Sequence, residues 1–194
     1  MSRVTAPATP RRAIAVAAAT LAAAAALLAA APAADARPFV IEATGSETGP
    51  GVVRAIGDFR PARNPRLRAA IRAYGQTTSR RGGGEICRVR WANIGVRITF
   101  QNFGGVDSCT PSGGRAQKAV VDDDRWRTGK GLRIGNEISR LRRLYPDAQR
   151  TPRGFRLVEG ILPFGQPRRY AVLGARVSGG RVRAFTMFIG AAGD

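Results

Sequence analysis

The sequence predicts an α+β fold, with short helices packed on antiparallel sheet in two tandem helix-then-strands units. Three observations predict it. Leu67, Ala70, Ile71 and Tyr74 recur at the spacing of one helix face, and so do Ile138, Leu141, Leu144 and Tyr145. Between these stripes, Glu85 to Phe103 alternates apolar and polar residues with the period of a half-buried strand. Both helical patterns also end in a tyrosine next to a breaker, Tyr74-Gly75 and Tyr145-Pro146, with strand patterns behind them. A helix returned onto its following strands is a two-layer unit. Two such units are expected over residues 52–110 and 117–190.

The first 36 residues stand apart from that domain. Arg3, Arg11 and Arg12 precede an alanine-rich apolar run from Ala13 to Ala31, and Ala34-Asp35-Ala36 supplies a small-residue cleavage pattern. This is the layout of a secretory signal peptide, with residues 37–194 as the mature domain. The competing reading is an uncleaved anchor, since the run is nearly long enough to span a bilayer. Alanine contributes little transfer energy, which favours cleavage. The expected location is secreted and extracellular, with attachment to the cell wall open and no stable membrane span after cleavage. The arginine pair alone does not settle the export route.

Along the mature chain, Phe39-Val40-Ile41 predicts one strand, and residues 52–59 a further short element. Asn64 suits an N-cap and Pro65 the first helical position, so the first helix is expected to open there and to end at Gly75. Ser79 to Gly84 reads as a flexible loop. Cys87, Val89 and Trp91 then alternate with Arg88 and Arg90, and Val96, Ile98 and Phe100 with Arg97, Thr99 and Gln101. With a break at Asn93-Ile94-Gly95, this is a hairpin that buries one face and turns Arg88, Arg90 and Arg97 outward. Gln117 to Val121 is a further strand. Leu132 and Ile134 form a short apolar approach, Gly135 turns the chain, Asn136 caps the second helix and Pro146 stops it. Strands follow at Phe155 to Val158, Tyr170 to Val177 and Arg181 to Ile189, the last with Val182, Ala184 and Phe188 among its apolar positions. Residues 162–169 read as a loop, Ser178-Gly179-Gly180 as a tight turn and 190–194 as a frayed tail.

The chemistry open to the chain is narrow. It contains no histidine. That removes Ser-His-Asp and Cys-His catalysis, histidine-ligated zinc and the commonest general base near neutral pH. Asp124 stands where a Walker loop needs its first glycine, and Gly131 follows Lys130 where Ser or Thr belongs. Ile134 replaces the third glycine of a dinucleotide fingerprint. Asp122-Asp123-Asp124 lacks the alternate ligands of a calcium loop and reads as an exposed acidic turn. Asp58, Glu85, Glu137 and Glu159 could in principle act as paired carboxylates, but no spacing links any two of them. No catalytic residue, cofactor or metal is therefore expected, and the chain is not expected to be an enzyme. Cys87 and Cys109 lack Cys-x-x-Cys spacing and read as one structural disulfide in an exported protein.

The formal net charge is +19, from 32 Lys and Arg against 13 Asp and Glu. Such a balance points to polyanions: nucleic acid, bound non-specifically, anionic wall polymers or lipid head groups. The competing reading is codon bias, since Lys118 and Lys130 are the only lysines among the basic residues, and Ala, Arg and Gly are abundant. Trp91 and Trp126 are the candidates for stacking on a base, although the alternation around Trp91 favours a buried ring.

Gly131-Leu132-Arg133-Ile134-Gly135, leading to Leu144-Tyr145-Pro146, resembles a pattern of uncharacterised secreted proteins of high-GC Gram-positive bacteria. So does the stretch from Phe59 through Trp91 to Phe103-Gly104-Gly105. That group implies no function. A weaker likeness reaches outer-membrane assembly lipoproteins of the BamE type and the beta-lactamase inhibitor proteins, through helix-then-sheet units and, for the former, Ile134-Gly135. It implies a non-catalytic protein-binding module. The chain departs from the lipoproteins in lacking a lipid-bearing cysteine, and from the inhibitors in having one cysteine pair. The expected function is a secreted, non-catalytic binding or cell-envelope-associated protein, with Arg88, Arg90 and Arg97 as its partner surface. The partner is an unidentified protein or an anionic envelope polymer, and the alternative is an exported polyanion binder.

Overall fold

The computed structural model describes residues 39–162 and 168–190. The signal peptide expected over 1–36 lies outside the described residues, as do the centre of the 162–169 loop and the tail after residue 190. No helix among the described residues is long and apolar enough to cross a membrane.

The described residues open with β1 (Val40–Thr44) and β2 (Val52–Ile56), an antiparallel pair, and proceed to helix α1 (Leu67–Tyr74). Four strands follow: β3 (Ser79–Gly83), β4 (Ile86–Trp91), β5 (Val96–Gln101) and β6 (Arg115–Val121). A two-residue strand, β7 (Arg127–Thr128), runs parallel to β1 and completes a small sheet of order β2-β1-β7. Helix α2 (Ile138–Leu144) is followed by four more strands: β8 (Gln149–Thr151), β9 (Gly154–Leu162), β10 (Arg168–Ser178) and β11 (Arg181–Phe188). Both sets of four join one antiparallel sheet of order β3-β4-β5-β6-β11-β10-β9-β8.

One face of this sheet carries the core. Cys87, Val89 and Trp91 on β4, and Val96, Ile98 and Phe100 on β5, are at most 1 % exposed. They share one apolar cluster with Leu67 and Ala70 of α1, Leu141 of α2, Ile41, Trp126 and Leu132. The two indoles enter this layer because their N–H groups find acceptors there. Trp91 Nε1 donates to the Gly75 carbonyl at 3.0 Å, and Trp126 Nε1 to that of Ile94 at 2.7 Å. Cys87 and Cys109 are bonded, which pins the loop after β5 to the buried face of β4. Closing a loop of this length is worth about 3 kcal/mol through the unfolded chain.

Both helices start later than their caps predict, and for the same reason. Pro65 and Arg66 are drawn into extended pairing with the start of β6: the Ala116 N–H donates to Pro65 O, and Arg66 bridges Arg115. Asn64 Oδ1 then accepts from the Arg66 N–H at 3.2 Å, and the helix begins at Leu67. At α2, Glu137 bridges Arg181 at the start of β11, and the Val182 N–H donates to Asn136 O. The Asn136 side chain accepts from the Arg133 N–H at 3.0 Å, capping the preceding turn rather than the helix. Gly75 ends α1 with φ +82° as expected.

Three further expectations are corrected. Ser79 to Gly83 is a strand, not a loop. None of its side chains is buried, so it has no period to read, and backbone pairing with β4 alone makes it. Gly82 must stay glycine there, because its φ is +107° and a Cβ would lie 2.3 Å from Ile86 O. In β11, Phe188 is 37 % exposed while Phe185 and Met187 are buried. Arg176 pairs with Ala184 but Val177 with Val182, so an extra residue at Arg183 shifts the alternation. In the second helix stripe only Leu141 and Tyr145 are buried, with Ile138 and Leu144 half-buried.

The sheet ends are treated differently. β8 covers only the first residues of β9, and the 45–51 segment covers the rest, through Ser46 N to Glu159 O and Ile161 N to Gly49 O. The outward side of β3 pairs with no other described strand.

Candidate functional site

The face of the large sheet opposite the core is open. Antiparallel register decides which side chains share it, since residues directly opposite one another point the same way. Arg81 faces Arg88, Arg90 faces Arg97, Arg88 faces Thr99, and Thr99 faces Lys118. The three arginines expected as a partner surface are thus on one face, on two neighbouring strands, and all exposed. Arg81, Lys118 and Arg176 join them around a groove of about 480 Å³.

These additions escaped the sequence reading for specific reasons. Arg81 lay in what read as a loop. Lys118 did follow the β6 alternation and could have been found from it. Arg176 arrives from a strand distant in sequence, and only the joining of β6 to β11 brings it near.

The groove is poorly neutralised. Arg97 Nη2 donates to Asp122 Oδ2 at 2.6 Å. Among the described residues no carboxylate pairs with Arg81, Arg88, Arg90, Lys118 or Arg176. At the other end of the same face, Glu159 takes Arg156 at 3.1 Å and Arg169 at 3.5 Å. Phe188 stands opposite Lys118 and meets the ring of Tyr170, which packs against the core, edge to face with centroids 5.2 Å apart.

Two carboxylates of the acidic triplet are engaged by arginine. Asp122 holds Arg97, and Asp123 holds Arg125 at 2.7 Å. The hydrogen bond from Arg125 pulls the Asp123 carboxyl below its ordinary range. Glu137 pairs with Arg181 at 2.9 Å. Asp58 follows β2, Glu85 sits in the β3–β4 turn and Glu159 lies on β9, so the four carboxylates are spread over separate elements. Among the described residues no group of three or more His, Cys, Asp or Glu side chains comes together.

Two other hollows carry less chemistry. A trough of about 520 Å³ runs past Pro65, Phe103 and Ile189, with Arg115 its one charged wall. A cleft of about 110 Å³ lies beside Asp58, Tyr74 and Trp126, well below the few hundred Å³ of a small-molecule site. Its hydroxyl is already committed, as Tyr74 donates to Ile56 O at 2.7 Å. Burial, with the Asp58 charge second, pushes the Tyr74 phenol well above its ordinary range. Neither indole is available for stacking, since Trp91 is 0 % and Trp126 1 % exposed. No family model, curated protein or solved structure matches the chain.

Proposed function

We propose that the chain is a secreted, non-catalytic binding protein of the cell envelope or its surroundings, and that the open face of its large sheet docks an anionic partner. One observation carries this reading: Arg88, Arg90 and Arg97 share that face with Arg81, Lys118 and Arg176 around one groove. An aqueous cluster of guanidinium groups, of which only Arg97 has a described carboxylate partner, costs little while solvated and offers forked donors to an incoming oxyanion. The module is read as two helix-then-four-strands units, α1 with β3–β6 and α2 with β8–β11, meeting at β6 and β11. The resemblance to the BamE-type lipoproteins and the beta-lactamase inhibitor proteins implies helix-then-sheet units; the strand expected to open the second unit, now β6, is here read with the first.

The test is the triple variant Arg88→Ala, Arg90→Ala, Arg97→Ala, used as bait beside the native chain at about 0.15 and 0.5 M salt, a span over which polyanion contacts weaken sharply. The triple variant should lose the partners that the native chain retains. Unchanged capture would remove this face from the reading. Export is tested separately, by the N-terminal residue of the protein recovered outside the cell, expected at Arg37.

A further inference from the structure

The open face does more than concentrate charge, because the register sets arginines against each other in pairs. Arg81 lies directly opposite Arg88, and Arg90 directly opposite Arg97. Like charges in that relation repel, and their Cβ atoms stand only about 4.5–5.5 Å apart. Asp122 relieves the second pair through Arg97, whereas the first has no described counter-charge. The row continues from Arg88 to Thr99 and on to Lys118, each step about 4.8 Å across neighbouring strands. The two arginine pairs are about 7 Å apart along the strands. The result is a grid of fixed cations with a hydroxyl at its centre.

The geometry points to the kind of anion that fits this grid: we propose that the groove holds a linear phosphate polymer without bases, one phosphate between Arg81 and Arg88 and another between Arg90 and Arg97. This rests on the docking face proposed above. A carboxylate has two coplanar oxygens; it can take two arginines, as Glu159 takes Arg156 and Arg169, but only close to that plane. A phosphate group has oxygens on several sides and can accept from two arginines at once. Thr99 and Lys118 then receive the next group along the chain. Nucleic acid fits less well, since single strands are held by aromatic rings on which bases stack. None of the residues lining the groove is aromatic, and both tryptophans are under the sheet.

The experiment is a calorimetric titration of the mature protein with inorganic tripolyphosphate and long-chain polyphosphate. Poly-glutamate of matched charge and oligothymidylate serve as comparators. Two double variants remove equal charge: Arg88→Gln/Arg90→Gln in the groove, and Arg140→Gln/Arg143→Gln on α2, on the opposite layer. All four positions are exposed, so both variants should fold, which circular dichroism checks. The expected result is polyphosphate binding weakened roughly tenfold per groove arginine, with a shallower salt dependence, and little changed by the helix variant. Poly-glutamate binding as tight as polyphosphate, or no polyphosphate binding at all, overturns the phosphate assignment and leaves the docking face to its own test. Tighter binding of oligothymidylate overturns the exclusion of bases. Equal weakening by both double variants overturns this inference and the docking face together, because net charge would then be the whole attraction.

Discussion

The β3–β6 and β8–β11 halves of the large sheet differ in regularity, and the difference decides what each can present. In the first, the β4 and β5 side chains alternate without interruption from Ile86 to Trp91 and from Val96 to Gln101, and the one slip is between β5 and β6 at Thr99 and Phe100. Every second residue therefore reaches the open face in line with its neighbour, and arginines line up with arginines. In the second half, the pairings slip twice between β9 and β10 and once between β10 and β11. Its open face carries Phe188 and arginines that Glu159 already holds. A regular ladder can display a charge pattern; a bulged one packs and bends but scatters its side chains.

Substitutions in the β3–β6 half should have the largest effects. Trp91→Ala should have the largest effect, a loss of about 3–5 kcal/mol, because a fully buried ring and its hydrogen bond to Gly75 both disappear. Chemical denaturation measures it. An effect below that of a surface substitution would mean that the regular half is not a cooperative part of the core. Replacing both cysteines by alanine should cost about 2–5 kcal/mol. Hydrogen exchange should then quicken in β3 and β4 before β9 and β10, and uniform loss of protection across the sheet would contradict a locally pinned half.

Other substitutions should have smaller effects. Gly82→Ala places a Cβ against Ile86 O at an unfavourable φ and should cost about 1–3 kcal/mol. It should also release β3, so amide exchange at residues 79–83 should rise while the β9–β10 pairing is undisturbed. The smallest effect is in acid. Asp123 has its folded-state pKa lowered, first by the Arg125 hydrogen bond. Its stabilisation is therefore full above the unfolded value of about 3.9 and is lost as pH falls through the lower folded value. Urea midpoints between pH 6 and 2 should fall less steeply for Asp123→Asn than for the native chain. Tyr74 acts in the opposite sense. Its raised phenol contributes below about pH 10 and loses that contribution as pH rises through the higher folded value. Tyr74→Phe should flatten the alkaline limb, with the lost bond to Ile56 O costing about 1 kcal/mol at neutral pH.

What could be read from the sequence divides along the same line. The β4–β5 hairpin, its buried and exposed faces and the Cys87–Cys109 bond were legible, because side-chain alternation and covalent chemistry are local. The turn at Ser178-Gly179-Gly180 was legible as well, and Gly179 and Gly180 have φ of +58° and +73°. The helix starts were not, since Asn64 and Asn136 are good caps that lose to strand pairing with Arg115 and with the Arg181–Val182 segment. The bulged strands hid their register, and β3 carries no apolar residue that could have announced it. At the candidate site, Arg88, Arg90 and Arg97 were read from alternation alone. Lys118 followed the same kind of alternation on β6, whereas Arg81 and Arg176 join the groove only through which strands become neighbours, and no local pattern encodes that.

The outer side of β3, unpaired among the described strands, has a consequence for how copies of this protein meet in solution. A terminal strand with free amide and carbonyl groups is a template for another chain. Here it carries Arg80 and Arg81, both exposed. Two molecules approaching along these strands bring like charges together before any hydrogen bond can form, and the repulsion reaches about 8 Å at physiological ionic strength. Concentrated salt, or a multivalent anion bridging the guanidinium groups, shortens that reach. Arg81, which also lines the groove, would thus both meet a phosphate chain and hold copies apart, and a long enough polymer would turn that repulsion into clustering.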